Sequence, residues 1–190
     1  LAKLLGENRG ATFATPKDLE ACRRAKEAHC YVSLDFENEY RRAEASPADF
    51  VRRFELPDGR TVEMTHERFV CPEAMFQPRL LDLDMDGVHE MVWKAVNKCA
   101  IDDRRALLGN VILTGGSTLF PGFDTRLQHE ILASAAERGP TNLRRSDICI
   151  AAPKNRKYLS WFGGAVLGSL DQFVDNNCLF REQYLEDGSV

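Results

Sequence analysis

Apolar residues recur along this chain with two periods, and the points where the period changes mark its elements. Leu1, Leu4 and Leu5 have the spacing of a buried helical face, and Gly10 can end that helix. No start signal precedes this face, so the sequence is expected to be a fragment of a longer protein. Thr15, Pro16 and Asp18 then supply a side-chain acceptor at the cap, a proline at the first helical position and an acid at the third. They predict a helix from about Pro16 to His29. Cys30, Val32, Leu34 and Phe36 alternate with Tyr31, Ser33 and Asp35, the period of a half-buried strand. The charged run Glu37 to Glu44 reads as a solvated helix or loop. Phe50 to Leu56 and Arg60 to Met64 meet at Pro57, Asp58 and Gly59, which predicts a β-hairpin.

The clearest helical pattern places Val88, Met91, Val92, Ala95, Val96 and Cys99 on one face behind Asp86 as N-cap, and that face is expected to be buried. A short charged helix follows near Asp102 to Leu108. Val111 to Leu113 then read as a core strand running into Gly115 and Gly116. A helix from about Phe123 carries Leu127, Ile131 and Ala135 on one side. Ile148 to Ala152 form another apolar strand, and the basic stretch Lys154 to Lys157 leads to a last helix, Trp161 to Phe173. Strands separated by amphipathic helices predict an α/β fold with a partly parallel sheet. No internal repeat or low-complexity tract is present.

Composition narrows the class. With 190 residues, 44% hydrophobic and 28% charged, the chain is an ordinary globular sequence, neither disordered, collagenous nor membrane-spanning. Area scaling for such a mass gives roughly 9,000 Å² exposed against about 31,000 Å² unfolded, so about 70% of the surface is available for burial in a self-contained globule. A net charge of -4 supplies no general drive toward nucleic acid or anionic lipid, and neither is expected as a partner. The six cysteines, Cys22, Cys30, Cys71, Cys99, Cys149 and Cys178, show no C-x-x-C and no zinc spacing. They are expected to be free, mostly buried thiols in a reducing compartment. Cys22, His29 and Cys30 lack a fourth ligand, so no metal is expected there.

Chemistry can sit at V-I-L-T-G-G-S-T, Val111 to Thr118, where a strand meets a glycine pair, hydroxyls and a helix. Glycines let backbone approach a phosphate, although a tight turn explains the same pattern. Lys26 and Lys157 gain meaning only if folding brings them together. No nucleophile triad, metalloprotease helix or P-loop occurs, so no catalytic residue is assigned to this chain. The alternating acids of L-D-L-D-M-D, Leu81 to Asp86, fit a loop of buried leucines and solvated acids and not a calcium loop.

Six ordered motifs carry a resemblance. They are C-Y-V-S-L-D-F (Cys30 to Phe36), L-P-D-G (Leu56 to Gly59), E-R-F-x-C-P-E-A-x-F-Q-P (Glu67 to Pro78), G-V-H-E (Gly87 to Glu90), T-G-G-S-T-L-F-P-G (Thr114 to Gly122) and R-K-Y-x-x-W-F-G-G (Arg156 to Gly164). Together they resemble the second half of actin. That resemblance implies the actin-like ATPase fold, in which two ribonuclease-H-like α/β domains close on ATP or ADP with Mg or Ca. Residues 1–83 would be a subdomain-4-like region, 84–158 a subdomain-3-like region, and 159–190 a C-terminal segment returning to subdomain 1.

By the same resemblance, Arg23, Lys26 and Glu27 would line the adenosine pocket, with Gly115 and Gly116 passing the sugar and phosphates. Phe120 stands where actin has an adenine-stacking Tyr, and Lys157 where a lysine covers the adenine. Helix 86–99 and the loop through Asp102, Asp103 and Arg104 match filament-contact surface, and Leu80 to Leu83 match an apolar plug. Polar Asn176 and Asn177 replace a Met-Trp pair of the cleft that receives actin-binding proteins, which weakens the expectation of such partners. Ser117 to Phe120 look closer to actin-related proteins such as centractin, and Cys30 to Phe36 closer to actin.

The resemblance therefore implies a fragment of an ATP-binding, filament-forming cytoskeletal protein of the cytoplasm. Slow ATP hydrolysis would belong to the intact protein, because the phosphate-binding aspartate loops belong to the other half. The alternative is a non-polymerising actin-related subunit of a dynactin-like, nucleator-like or chromatin-remodeller-like complex, the last of these nuclear. A sugar kinase of the same superfamily would not carry C-P-E-x-x-F-Q-P.

Overall fold

The computed structural model describes residues 1–138 and 143–188. Helix α1 (Ala2–Arg9) ends at Gly10, whose left-handed backbone lets its amide reach the carbonyls of Gly6 and Leu5. Helix α2 (Pro16–His29) begins in a full capping box: the Thr15 hydroxyl accepts from the Asp18 amide, and Asp18 accepts from the Thr15 amide. A cap of this kind is worth ~1 kcal/mol.

The expected strand at Cys30 to Phe36 does not form. Its backbone is bonded to two different segments, Tyr31 to the Arg68 carbonyl at 3.2 Å and Val32 to the Pro121 carbonyl at 2.9 Å, so no ladder runs along it. Ser33 is buried and Leu34 exposed, against the alternation. Asp35 then accepts from the Asn38 amide at 3.1 Å and starts helix α3 (Phe36–Ala45), which settles the charged run as a helix. After a single turn, α4 (Pro47–Phe50), the predicted hairpin appears as β1 (Arg52–Glu55) and β2 (Thr61–Met64), antiparallel with Phe54 opposite Val62.

Helix α5 (Glu67–Glu73) carries Phe69, fully buried among Tyr31, Phe36, Tyr40 and Phe50 with ring centroids 6.0 to 6.4 Å away. Such ring pairs contribute about 0.5–1.5 kcal/mol each beyond area burial, and here they fasten α3 and α4 to α5. A short 3₁₀ turn, Pro78–Leu81, follows.

Helix α6 (Val88–Asn97) is capped by Gly87, not Asp86, which pairs with Lys94 at 2.5 Å. A side chain at Gly87 would put its Cβ 2.1 Å from the Phe76 carbonyl oxygen, so only glycine fits this close approach. The buried face matches expectation in part: Val96 is buried and Val88 and Val92 pack partly buried against the core, joined by Trp93, while Met91, Ala95 and Cys99 are exposed. The large Trp93 ring turns the helix toward its own side.

Helix α7 (Arg104–Leu108), strand β3 (Val111–Ile112), helix α8 (Phe123–Arg138) and strand β4 (Ile150–Ala151) form a parallel crossover unit, with Val111 opposite Ile150. As predicted, α8 buries Leu127, Ile131 and Ala135. Sheet structure among the described residues is thus two separate two-stranded pieces, one antiparallel and one parallel.

One apolar cluster joins Val32, Phe76, Trp93, Val96, Leu113, Phe123, Leu127, Ile131 and Ile148. A second joins Leu5, Cys22, Ala25, Leu56, Val62 and Met64.

The predicted last helix is broken at Ser169 and Leu170 into α9 (Leu159–Gly168) and α10 (Asp171–Asn177), followed by α11 (Arg181–Asp187). The Ser169 hydroxyl bonds the Val166 carbonyl at 2.7 Å, competing with the helical ladder at the break. These helices leave Trp161 75% and Leu185 70% exposed. The accessible surface is accordingly 12,582 Å², well above the roughly 9,000 Å² of a self-contained globule of this mass. All six thiols are free, but three of them, Cys99, Cys149 and Cys178, are exposed, which corrects the expectation of mostly buried cysteines.

Candidate functional site

Strand β3 delivers the chain to Gly115, whose φ of +90° is open to glycine and strained for other residues. A 3₁₀ turn, Gly116–Leu119, follows and leads into Phe120. Arg156 holds this loop from outside. Its carbonyl accepts from the Gly115 amide at 2.9 Å and from the Thr114 hydroxyl at 3.2 Å. Its guanidinium donates to the Thr118 carbonyl at 3.0 Å and to the Ala152 and Pro153 carbonyls at 3.2 and 3.1 Å. Lys157, next in sequence, is thereby carried to the rim of the glycine loop. On the opposite side, the bond from the Val32 amide to the Pro121 carbonyl draws the end of α2 against Phe120 and Pro121.

The result is a cavity of about 320 Å³ lined by Lys26, Glu27, Gly116, Ser117, Leu119, Phe120 and Lys157. Five residues singled out from the sequence are in that wall. Arg23 and Gly115 are not. Arg23 lies on the exposed side of α2, its guanidinium spanning Glu20 and Glu27 at 2.6 Å each. Those bonds raise the Arg23 pKa, and the hydrogen bonds from Arg23 and Arg24 hold Glu20 down at about 2. Gly115 acts through its backbone only, by setting the direction of the turn. Ser117 and Leu119 were missed as lining residues, although both stand in the quoted glycine motif. Arg156 was missed as the organiser of the loop, because its contacts reach 38 residues back to Thr118.

The charges in the wall favour an electron-rich or anionic guest. Glu27 is paired with Arg23 at 2.6 Å, and two lysines, Lys26 and Lys157, stand in the wall, with Lys157 Nζ also 5.5 Å from the centre of the Tyr158 ring. Phe120 adds an apolar ring. A cavity of this size falls in the about 300–1,000 Å³ range of small-molecule sites. A side chain at Gly116 would find its nearest neighbour at 3.9 Å, the Lys157 Cγ, so the backbone tolerates a Cβ there and only the cavity would lose room. A divalent cation does not fit this donor set: Glu27 is committed to Arg23, and no group of three His, Cys, Asp or Glu gathers among the described residues.

A larger open groove of about 730 Å³ runs between α2 and the hairpin, lined by Lys17, Glu20, Arg24, Phe54, Leu56 and Pro57 among others, and no sequence signal marked it.

The family model described as Actin matches residues 3–190. The chain belongs to the actin family. The resemblance carried by the six motifs is borne out. The chain is 35% identical over 184 residues to actin-related protein 2 of Saccharomyces cerevisiae, covering 95% of this chain and 47% of that protein. It is 34% identical over 184 residues to actin-related protein 2 of Arabidopsis thaliana, with the same 95% and 47% coverage. It is 30% identical over 189 residues to "Putative actin-29" of Dictyostelium discoideum, covering 100% of this chain and 48% of that protein. The chain spans about half the length of these curated relatives.

Membership in the actin family implies the actin-like ATPase fold, and the mixed helix-and-sheet architecture accords with it. No helix among the described residues of this actin-family chain is long and apolar enough to cross a membrane. Leu80, Leu81 and Leu83 are each more than 40% exposed around the 3₁₀ turn, and Asn176 and Asn177 close α10 at the surface. The expectation that the leucines between the acids of Leu81 to Asp86 are buried is therefore corrected: the turn lifts them to the surface together with the acids.

Proposed function

We propose that this chain is the half of an actin-like protein that forms one wall of its nucleotide cleft. In this reading residues 1–83 are a subdomain-4-like region and 84–158 a subdomain-3-like region. Residues 159–190 pack on the other half of the molecule, which accounts for the exposed apolar face of α9 and α11. The observation that carries the reading is the convergence of Lys26 and Glu27 from α2 with Gly116 and Phe120 from the glycine loop and Lys157 from a third, later segment. Like charges repel, so two lysines from distant segments facing one space call for a ligand between them.

ATP or ADP satisfies this chemistry. Phe120 offers a ring face to the base, Lys26 and Lys157 meet electron-rich edges, and the glycine backbone lets the sugar and phosphates pass close. Arg23 acts indirectly by holding Glu27. The Mg or Ca that accompanies the nucleotide takes its contacts from outside this chain, and catalytic groups do too.

The intact protein is read as a filament-forming cytoskeletal ATP-binding protein of the cytoplasm. The exposed Leu80, Leu81 and Leu83 favour that reading, since clustered surface leucines seek an apolar partner. A second reading, a non-polymerising subunit of a dynactin-like, nucleator-like or nuclear remodeller-like assembly, is favoured by the identity to actin-related protein 2 and by the polar Asn176 and Asn177. Pelleting of the purified intact protein with ATP supports the first. Elution only within a hetero-oligomer supports the second.

The nucleotide site is tested by titrating a fluorescent ATP analogue against the intact protein. Gly116→Val, which fills the cavity, is expected to weaken binding more than Lys157→Ala, which removes one solvated contact. Equal affinity for wild type and both variants overturns the site.

A further inference from the structure

The hairpin of β1 and β2 is a sheet of two strands, so β1 has an edge that no ladder occupies among the described residues. At its end the Leu56 amide donates to the Arg60 carbonyl at 2.8 Å, and the Leu56 carbonyl accepts from the Gly59 amide at 2.9 Å. Leu56 therefore faces β2. Backbone direction alternates along a strand, which turns Phe54 toward β2 as well and aims the amides and carbonyls of Arg53 and Glu55 outward. Among the described residues those four groups have no hydrogen-bond partner. The groove of about 730 Å³ runs along this edge, with Phe54, Glu55 and Leu56 on one side and Ala21, Ala25 and Ala28 of α2 on the other. Phe54 and Leu56 pack toward α2, whereas Arg53 and Glu55 stand on the exposed face.

We propose that this edge pairs with the same edge of a second copy, β1 against β1 and antiparallel, about a two-fold axis through Phe54. An unpaired strand edge is a template for another strand, and charge complementarity selects which one. In this register Arg53 of each copy stands opposite Glu55 of the other, twice over and on the same exposed face. The outward amides and carbonyls of Arg53 and Glu55 are exchanged in four hydrogen bonds. Arg53 already pairs with Glu63 across the hairpin at 2.6 Å, whereas Glu55 has no ion-pair partner among the described residues. The second copy's Arg53 supplies one.

The charges also fix the register. A slip by two residues, the smallest that keeps each side chain on its face, sets Arg53 against Arg53 or Glu55 against Glu55. At the axis the two Phe54 residues form a non-hydrogen-bonded pair, where side chains come closest. Their rings lie on the α2 side of the sheet, where the three alanines leave room. A four-stranded sheet then runs through both copies and closes both β1 edges. This pairing rests on neither the nucleotide reading nor the leucine turn.

The test mixes two differently tagged copies of the intact protein and captures one tag. Wild type is expected to capture wild type. Glu55→Arg leaves the Arg53–Glu63 pair in place but sets arginine against arginine twice, so co-capture of its two tagged forms is expected to fall about tenfold. Arg53→Glu with Glu63→Arg reverses the internal pair and sets acid against acid, with the same loss. Mixing the first variant with the second restores opposite charges at both positions, and co-capture is expected to return to the wild-type level. No capture by wild type, equal capture in every pairing, as contacts elsewhere on the surface would give, or a loss that mixing does not restore in folded variants each overturns the proposal. Where a variant does not fold, wild type decides: hydrogen exchange at the Arg53 and Glu55 amides is expected to slow as protein concentration rises. Exchange there that is independent of concentration overturns the pairing.

Discussion

Arg126→Met removes one partner of an ion pair whose side chains are 6% and 0% exposed. The Arg126 guanidinium donates to both Glu73 oxygens, at 2.9 and 3.1 Å, and to the Ser33 carbonyl at 2.5 Å, while Nε reaches Glu130 at 2.6 Å. It also lies 5.1 Å from the centre of the Phe76 ring. With Met in its place the stem still packs, but Glu73 keeps only Gln77 at 2.9 Å, and the Ser33 carbonyl loses this donor. Stranding one member of a buried pair costs about 3–5 kcal/mol. At about 2–4 °C per kcal/mol for a chain of this size, the melting midpoint is expected to fall by about 10 °C.

Acid gives the prediction a second arm. Burial pushes the Glu73 carboxyl above its ordinary range even with Arg126 pulling it down. Without Arg126 the folded-state value rises further above the unfolded one. An acid with a raised folded pKa destabilises the fold when ionised, and that penalty fades as pH falls through the folded value. The gap between variant and wild type is therefore expected to narrow between pH 7 and pH 5. Urea unfolding followed by circular dichroism at both pH values measures it, and Glu73→Leu with Arg126→Met is expected to recover much of the loss. A deficit under about 1 kcal/mol, or a double variant no better than the single one, refutes the reasoning.

Glu67 has the opposite sign. Burial raises it, but Arg9 Nε at 2.9 Å and the Thr65 amide at 2.7 Å outweigh burial and hold it at about 2, so its contribution of ~3 kcal/mol is present above pH 4.5 and lost as pH falls toward 2. Arg9→Ala is expected to flatten that acid limb in urea titrations between pH 5 and 3. Gly87→Ala forces a Cβ against the Phe76 carbonyl and is expected to lower stability by about 1–3 kcal/mol, read as an earlier urea midpoint. On the proposed filament-forming reading, Leu81→Asp with Leu83→Asp in the intact protein is expected to abolish its sedimentation without shifting its melting curve, since both side chains are already exposed.

Legibility followed the range of the interactions. The Thr15 capping box, the Pro57–Gly59 turn and the apolar side of α8 are set by residues within a few positions of one another, and all three were readable. The segment at Cys30 to Phe36 was not, because alternation registers side-chain polarity, whereas a strand needs a continuous partner. Its backbone is divided between α5 and Pro121, and Asp35 captures the Asn38 amide before pairing can extend. In α6 the apolar stripe was counted correctly, yet the helix turned toward Trp93, whose ring outweighs the smaller Met91, Ala95 and Cys99. The break at Ser169 needed a competing hydroxyl that periodicity ignores. Five of the seven residues that line the cavity were singled out from the sequence, Gly116, Phe120 and Lys157 within quoted motifs and Lys26 and Glu27 by the resemblance of α2 alone, and such matches name the residues that touch a guest more readily than those that hold the wall.

Arg156 illustrates the difference. It does not line the cavity, yet it accepts from the glycine turn, donates into the next loop and precedes Lys157, so the position of the lysine depends on the arginine beside it. The carbonyls it satisfies, at Thr118, Ala152 and Pro153, belong to the two loops that leave the paired strands β3 and β4, beyond the end of their ladder. A planar guanidinium with five donors can join the two loops through three carbonyls at once, whereas the single ammonium of lysine cannot span them in a fixed plane. On the facing wall the same task falls to one backbone bond, from Val32 to Pro121. The cavity is therefore shaped by groups outside its lining. A guest that meets both Lys26 and Lys157 would add a link between α2 and the Arg156–Tyr158 turn.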